Sequence, residues 1–137
     1  MRDNEFDNDY LERNGGLSIP SELEMITLAN IRHAGLESAI AKVANFLARD
    51  ELDGFWIHLD VDVLEDTIMP AVDYRMPNGL SWAELVACLK TAISSGRAIG
   101  MQVTIYNPKL DPELSAGRSL VDALIEGLPF TTGRSIL

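Results

Sequence analysis

The stretch Phe55-Trp56-Ile57-His58-Leu59-Asp60-Val61-Asp62-Val63-Leu64 decides how this chain is read. Phe55 to Leu59 is apolar but for His58, the pattern of a buried strand, and two carboxylates stand at its end. Carboxylates drawn out of water need a cationic partner. Residues two apart in a strand share a face, which predicts that Asp60 and Asp62 converge on one spot. A divalent metal ion is the commonest partner for such a pair.

Working outward, Asp53-Gly54 reads as the turn that precedes this strand, and the strand is expected from Phe55 to Val61. Upstream, Leu36, Ile40, Val43, Phe46 and Leu47 fall at helical spacing and predict a helix over 36–49. Glu24-Met25-Ile26-Thr27-Leu28 is a short strand candidate. His33 falls where a helix is expected to start, in a solvated role. Residues 1–20, with Gly15-Gly16 and Pro20, read as irregular.

Downstream, residues 65–80 carry Pro70, Pro77 and Gly79 and form a long loop, a feature often tied to function. Ser81 with Glu84 three residues on is a capping-box pattern. Trp82, Leu85, Val86, Leu89, Ala92 and Ile93 give that helix an apolar stripe, and Gly96 ends it. Trp56 and Trp82 are both read as core. Residues 98–105 form a second apolar strand that runs into Tyr106-Asn107-Pro108. Asp111-Pro112 reads as a cap with a first-turn proline, opening a helix to about Leu128. The expected order is β-α-β-α-β-α, which implies an α/β fold: a three-layer α/β/α sandwich with a parallel sheet. Ligands of such sheets gather at the carboxyl ends of the strands, where Asp60 and Asp62 are expected.

At 137 residues the chain fits one domain. Its net charge of −10, from 11 basic and 21 acidic residues, argues against nucleic acid or an anionic membrane as partner, since phosphate contacts need clustered Lys and Arg. No apolar run approaches the roughly 18 residues of a membrane span, and Met1-Arg2-Asp3-Asn4-Glu5 has no apolar signal core, so a cytoplasmic location is expected. The single cysteine, Cys88, excludes an intrachain disulfide and falls on the apolar side of its helix, a core position.

His58-Leu59-Asp60-Val61-Asp62-Val63-Leu64-Glu65-Asp66, with Pro70 and then Asn78-Gly79-Leu80-Ser81, resembles the third signature of the ureohydrolase superfamily, the arginase, agmatinase and formiminoglutamase group. Gly100 to Pro108 resembles the family's next strand, which ends in Asn-Pro. The resemblance spans residues 1–137 as the C-terminal part of an arginase-like domain. It implies a manganese-dependent hydrolase of linear amidine or guanidine C–N bonds, acting on a small molecule. It also implies that Asp60 bridges two Mn2+ ions, that Asp62 ligates one, and that His58, in place of the family's Ser, orients a ligand. A strand histidine bonded to its neighbours is the equal alternative for His58.

The family's other metal ligands come from Gly-Gly-Asp-His and Asp-x-His-x-Asp motifs, and neither occurs in this sequence. The chain alone is therefore expected to bind Mn2+ weakly or not at all and to be inactive, and a separate N-terminal half is a candidate partner. Ala71-Val72-Asp73-Tyr74-Arg75 replaces a Gly-Thr-Gly-Thr-Pro loop, and Asp73 and Arg75 are candidates for the site mouth. Ile105 stands where arginases carry the carboxylate that receives the guanidinium. Unpaired sheet edges further predict a homo-oligomer.

Three other readings compete. The chain is a non-catalytic scaffold or assembly piece of the same fold, or a metal-dependent glycosyltransferase using Asp-x-Asp, or an aspartyl phosphatase, which would want Thr or Val where Leu64 stands. Asp3, Glu5, Asp7 and Asp9 imitate a calcium loop, but Asn8 and Asn14 occupy its glycine and glutamate positions.

Overall fold

A computed structural model describes residues 24–128 of the chain. The irregular segment expected over 1–20 and the acidic imitation of a calcium loop lie outside them. The described residues divide into two compact units between Ala39 and Ile40.

The strand expected over Glu24–Leu28 is not formed. Thr27 instead caps helix α1 (Leu28–Ala34): its hydroxyl accepts from the Asn30 N–H at 3.1 Å, and its own N–H donates to Asn30 Oδ1 at 3.0 Å. The reciprocal cap satisfies orphan helix donors and overrides the weak preference of the two β-branched residues Ile26 and Thr27 for a strand. Gly35 ends α1 with φ +86. His33 accordingly lies in the last turn of a helix, not at a start. Helix α2 covers Leu36–Leu47, close to the expected bounds.

In the second unit, β1 (Phe55–Asp60) and β2 (Ala98–Thr104) form a parallel pair, with Trp56 opposite Gly100, Ile57 opposite Met101, His58 opposite Gln102 and Asp60 opposite Thr104. Arg97 fixes the entry to β2 by donating to the carbonyls of Arg49 and Leu52. Trp56 is not a core residue, as expected from sequence, but 56% exposed. Its ring lies over Gly100, where a Cβ would come within 2.0 Å of Trp56 Cζ3. Glycine is thus what lets the indole lie against the strand.

The long loop after β1 is as well packed as any helix. Val61, Met69 and Ala71 are completely buried, and Leu64, Val72 and Leu80 nearly so. Leu64 and Leu80 form an isolated parallel bridge that closes the loop, with Glu65 N–H donating to Leu80 O at 2.9 Å and Leu80 N–H to Val63 O at 2.8 Å. Helix α3 (Trp82–Ser94) starts at the expected capping box, Ser81 with Glu84. It buries Leu85, Val86 and Leu89 and stops before Gly96 at φ +70.

Helix α4 (Ser115–Gly127) begins later than Asp111-Pro112 suggests. Leu114, left-handed at φ +56, precedes it without a side-chain cap. Asp111 nonetheless does the capping from four residues upstream, because its carboxylate accepts from Ser115 N–H at 3.0 Å and Gly117 N–H at 2.8 Å. Helix α4 packs on α3, where the missing side chain of Gly127 admits Leu89, and Lys90 Nζ reaches Glu126 Oε1 at 2.8 Å across the two helices.

Candidate functional site

Asp60 is the last residue of β1 and so stands at the carboxyl edge of the parallel pair, as the sequence predicts. Asp62 does not continue the strand. The chain turns at once into a 3-10 helix over Val61–Val63, so the strand alternation from which a shared face was expected does not extend to Asp62. The reason is local. Asp60 Oδ1 accepts from the Asp62 N–H at 3.3 Å, and this side-chain cap ends the strand and opens the turn, with Val61 fully buried within it. One carboxylate therefore comes from a strand end and the other from a single tight turn.

His58 faces the same side of the sheet as Asp60, two residues back. It is held by its neighbours on β2. Gln102 Nε2 meets His58 Nδ1, and Thr104 Oγ1 lies 3.4 Å from His58 Nε2 and 3.4 Å from the Leu59 carbonyl oxygen. These contacts give the hydrogen-bonded strand histidine a concrete form. They also fix the ring on the face that carries Asp60.

The loop supplies the other two sequence-predicted residues, and each is engaged. Asp73 Oδ1 accepts from Asn107 Nδ2 at 2.8 Å. Arg75 donates to the Asp66 carbonyl at 3.1 Å and pairs with the Asp66 carboxylate at 3.3 Å, so it pins the loop to itself. Asn107, which the sequence reading quoted only as part of Asn-Pro, is the residue that ties β2 to this loop. Its N–H donates to Ala71 O at 2.8 Å, its amide holds Asp73, and its Oδ1 accepts from Lys109 N–H at 3.1 Å.

Behind it, Tyr106 Oη donates to Asp111 Oδ2 at 2.9 Å. The Gly117 N–H does most to hold the Asp111 carboxyl below the usual carboxylate range; the Tyr106 hydroxyl, the Ala116 N–H and Ser115 add to this, and burial opposes it. Burial, followed by that hydrogen bond and charge, pushes the Tyr106 phenol up. Cys88 is half-buried, not a full core position; burial pushes its thiol up, and the Glu84 charge adds to the shift.

A metal centre needs more donors than this edge provides. Among the described residues no group of three or more His, Cys, Asp or Glu is gathered that could hold an ion. Asp60 and Asp62 on their own do not fit a two-manganese site. A groove of about 500 Å³ between α3 and α4, lined by Trp82, Val86, Lys90 and Asp122 among others, shares no residue with this edge.

A model of the arginase family matches residues 13–127. The chain belongs to the arginase family. Over 92 residues it is 35% identical to the N(omega)-hydroxy-L-arginine amidinohydrolase of Streptomyces lavendulae, a match covering 67% of this chain and 32% of that protein. The chain thus spans about a third of the length of that curated relative. The arginase of Bacillus subtilis superposes with a TM-score of 0.70 at 22% identity, covering 95% of this chain and 41% of that one. The formiminoglutamase of Trypanosoma cruzi, solved with Mn2+, gives 0.65 at 20% identity, over 90% of this chain and 39% of that one. The fold is accordingly a partial arginase-like α/β fold with a parallel sheet, and the ureohydrolase resemblance read from the His58–Ser81 segment is borne out at the level of the family. No helix among the described residues is long and apolar enough to cross a membrane.

Proposed function

We propose that this chain supplies part of the active site of an arginase-family hydrolase that splits an amidine, guanidine or amide C–N bond of a small molecule. In this reading Asp60 and Asp62 hold manganese together with ligands from outside the described residues. Family membership supports it, and the observation that carries it is the placement of Asp60 at the carboxyl edge of β1 with Asp62 in the turn it caps. Manganese, when bound, supplies Lewis-acid chemistry. The chain's own residues shape the edge: Asp60 sets the turn, His58 and Thr104 hold the polar face, and Asn107 fixes the loop beside it.

The described residues gather too few donors for catalysis by this chain alone, so no urea should be released from arginine or agmatine by the purified chain. The same shortage supports the second reading, a non-catalytic piece of the same fold. A partner that completes the ligand set, a homo-oligomeric state and a cytoplasmic location belong to the proposal as well.

The test is Mn2+ titration of isotope-labelled chain followed by NMR. Paramagnetic broadening should fall first on the amides of Asp60 to Val63. It should vanish in Asp60→Ala and weaken less in Asp62→Ala, because Asp60 both supplies a carboxylate and caps the turn that carries Asp62. Broadening centred elsewhere, or untouched by Asp60→Ala, sinks the metal assignment.

A further inference from the structure

We propose that the segment following α4, Pro129-Phe130-Thr131-Thr132-Gly133-Arg134-Ser135-Ile136-Leu137, folds back into the groove between α3 and α4, with Phe130 against its small side chains and Arg134 paired to Asp122. The groove shares no residue with the Asp60 edge, so its occupation is independent of metal there.

The groove holds about 500 Å³, and its lining suits one extended segment. Ala87 and Ala123 leave it open because alanine fills so little space, and Trp82 gives it an apolar wall. At one end Lys90 and Glu126 pair across the two helices at 2.8 Å. One turn further in on α4, Asp122 makes no ion pair among the described residues. An apolar floor with one unmatched carboxylate calls for a segment that carries an apolar anchor and one cation.

Residues 129–137 have that composition and start at the right place. Arg134 is the one cation among them, and Phe130 is the apolar anchor nearest the helix. Leu128 N–H donates to Leu124 O at 2.9 Å, and Pro129, lacking an N–H, cannot add the next helical bond. Gly127 packs on Leu89, where a Cβ would fall 2.8 Å from Leu89 Cβ, so the chain leaves α4 beside Lys90, at the mouth of the groove. From Lys90 back to Trp82 is about 12 Å at 1.5 Å per residue. An extended chain covers that in about four residues, the separation of Phe130 from Arg134. Phe130 beside Ala87 and Ala123 therefore brings Arg134 within a side chain's reach of Asp122. Burying Phe130 supplies most of the hold, and the ion pair selects the segment, since an exposed pair contributes little by itself.

The test uses the full chain, isotope-labelled for NMR, with a nitroxide on Ser135→Cys and with Cys88→Ala removing the native thiol. The nitroxide should speed transverse relaxation of the Ala87 and Ala123 amides several-fold more than that of the Phe55 and Ile57 amides on β1. Arg134→Asp should cut that enhancement about threefold, Asp122→Arg should do the same, and the two together should restore most of it. The parent chain, which needs no nitroxide, should show nuclear Overhauser contacts from the Phe130 ring to the Ala123 methyl. Enhancement spread evenly over both sets of amides, enhancement unmoved by Arg134→Asp, or no such contacts in the parent overturns the inference. So does enhancement that arises when isotope-labelled chain is mixed with unlabelled nitroxide-bearing chain, because the occupant is then a second copy.

Discussion

The β1–β2 pair and the loop that follows it invert the usual relation between regular structure and burial. The sheet is regular yet open: Trp56 is 56% exposed, Ile99 73% and Val103 39%. The loop, irregular beyond one 3-10 turn, nonetheless holds Leu64, Met69 and Val61, each with 1% exposure or less. Parallel sheets are normally covered on both faces. The difference teaches that, within the described residues, the segment joining Asp60 to α3 is the stable platform, and the candidate site is built against it.

The largest effects should therefore come from the loop. A Cβ on Gly79 would fall 2.1 Å from the Leu64 carbonyl carbon and 2.3 Å from Glu65 N, within the bridge that closes the loop. Backbone cannot yield as a side-chain tip can, so Gly79→Ala should destabilise the chain by about 3 kcal/mol. Met69→Ala, at a position with no exposure, should lose about 2–5 kcal/mol through the cavity it leaves. Denaturant midpoints measure both. A loss below about 1 kcal/mol in each would break the comparison by showing that the loop relaxes freely.

A smaller effect is expected at the rear support of β2. The folded-state pKa of Asp111 is lowered, so its contribution is present above the unfolded value near 3.9 and is lost as pH falls through the folded one. Stability should decline below about pH 4, and Asp111→Asn should flatten that decline while lowering stability at pH 7, because an amide has one acceptor oxygen: if it keeps Gly117 N–H and Tyr106 Oη, its NH2 donor faces the Ser115 N–H that Oδ1 accepts from. Melting temperatures from pH 2 to 7 decide this. An unchanged acid limb in Asp111→Asn would remove Asp111 as its source.

What was legible in the sequence tracks how local its cause is. Ser81 with Glu84, the stop at Gly96 and the end of β1 near Asp60 follow from short-range rules and hold. The strand at Glu24–Leu28 failed because a Thr27–Asn30 cap outweighed two β-branched residues, and the α4 start moved because Asp111 caps from a distance. Trp56 looked like core because apolar runs do, but the glycine opposite it and the missing cover are facts of tertiary structure. At the site, Asp60 and its edge were legible. The turn that carries Asp62 was not, because the alternating apolar pattern runs on past Asp60 and hides a local side-chain cap; the Asn107 tie to the loop was not, because it joins residues far apart in sequence.

The smallest effect sharpens the comparison most. Ile99 is 73% exposed, and its Cγ2 lies 2.8 Å from where a Cβ on Gly54 would fall. Ile99→Thr keeps β-branching and removes apolar area that solvent already wets. If the sheet is open in solution, the change should stay within about 0.5 kcal/mol, as surface substitutions usually do. If the sheet is covered by a second copy, the same substitution should cost more, and the cost should fall as the protein is diluted, because an assembly's stability depends on concentration. Unfolding Ile99→Thr beside the parent at two concentrations a hundredfold apart therefore reads the cover directly. A near-zero, concentration-independent difference keeps the sheet as the open partner of the packed loop, and a large concentration-dependent one shows that self-association closes it.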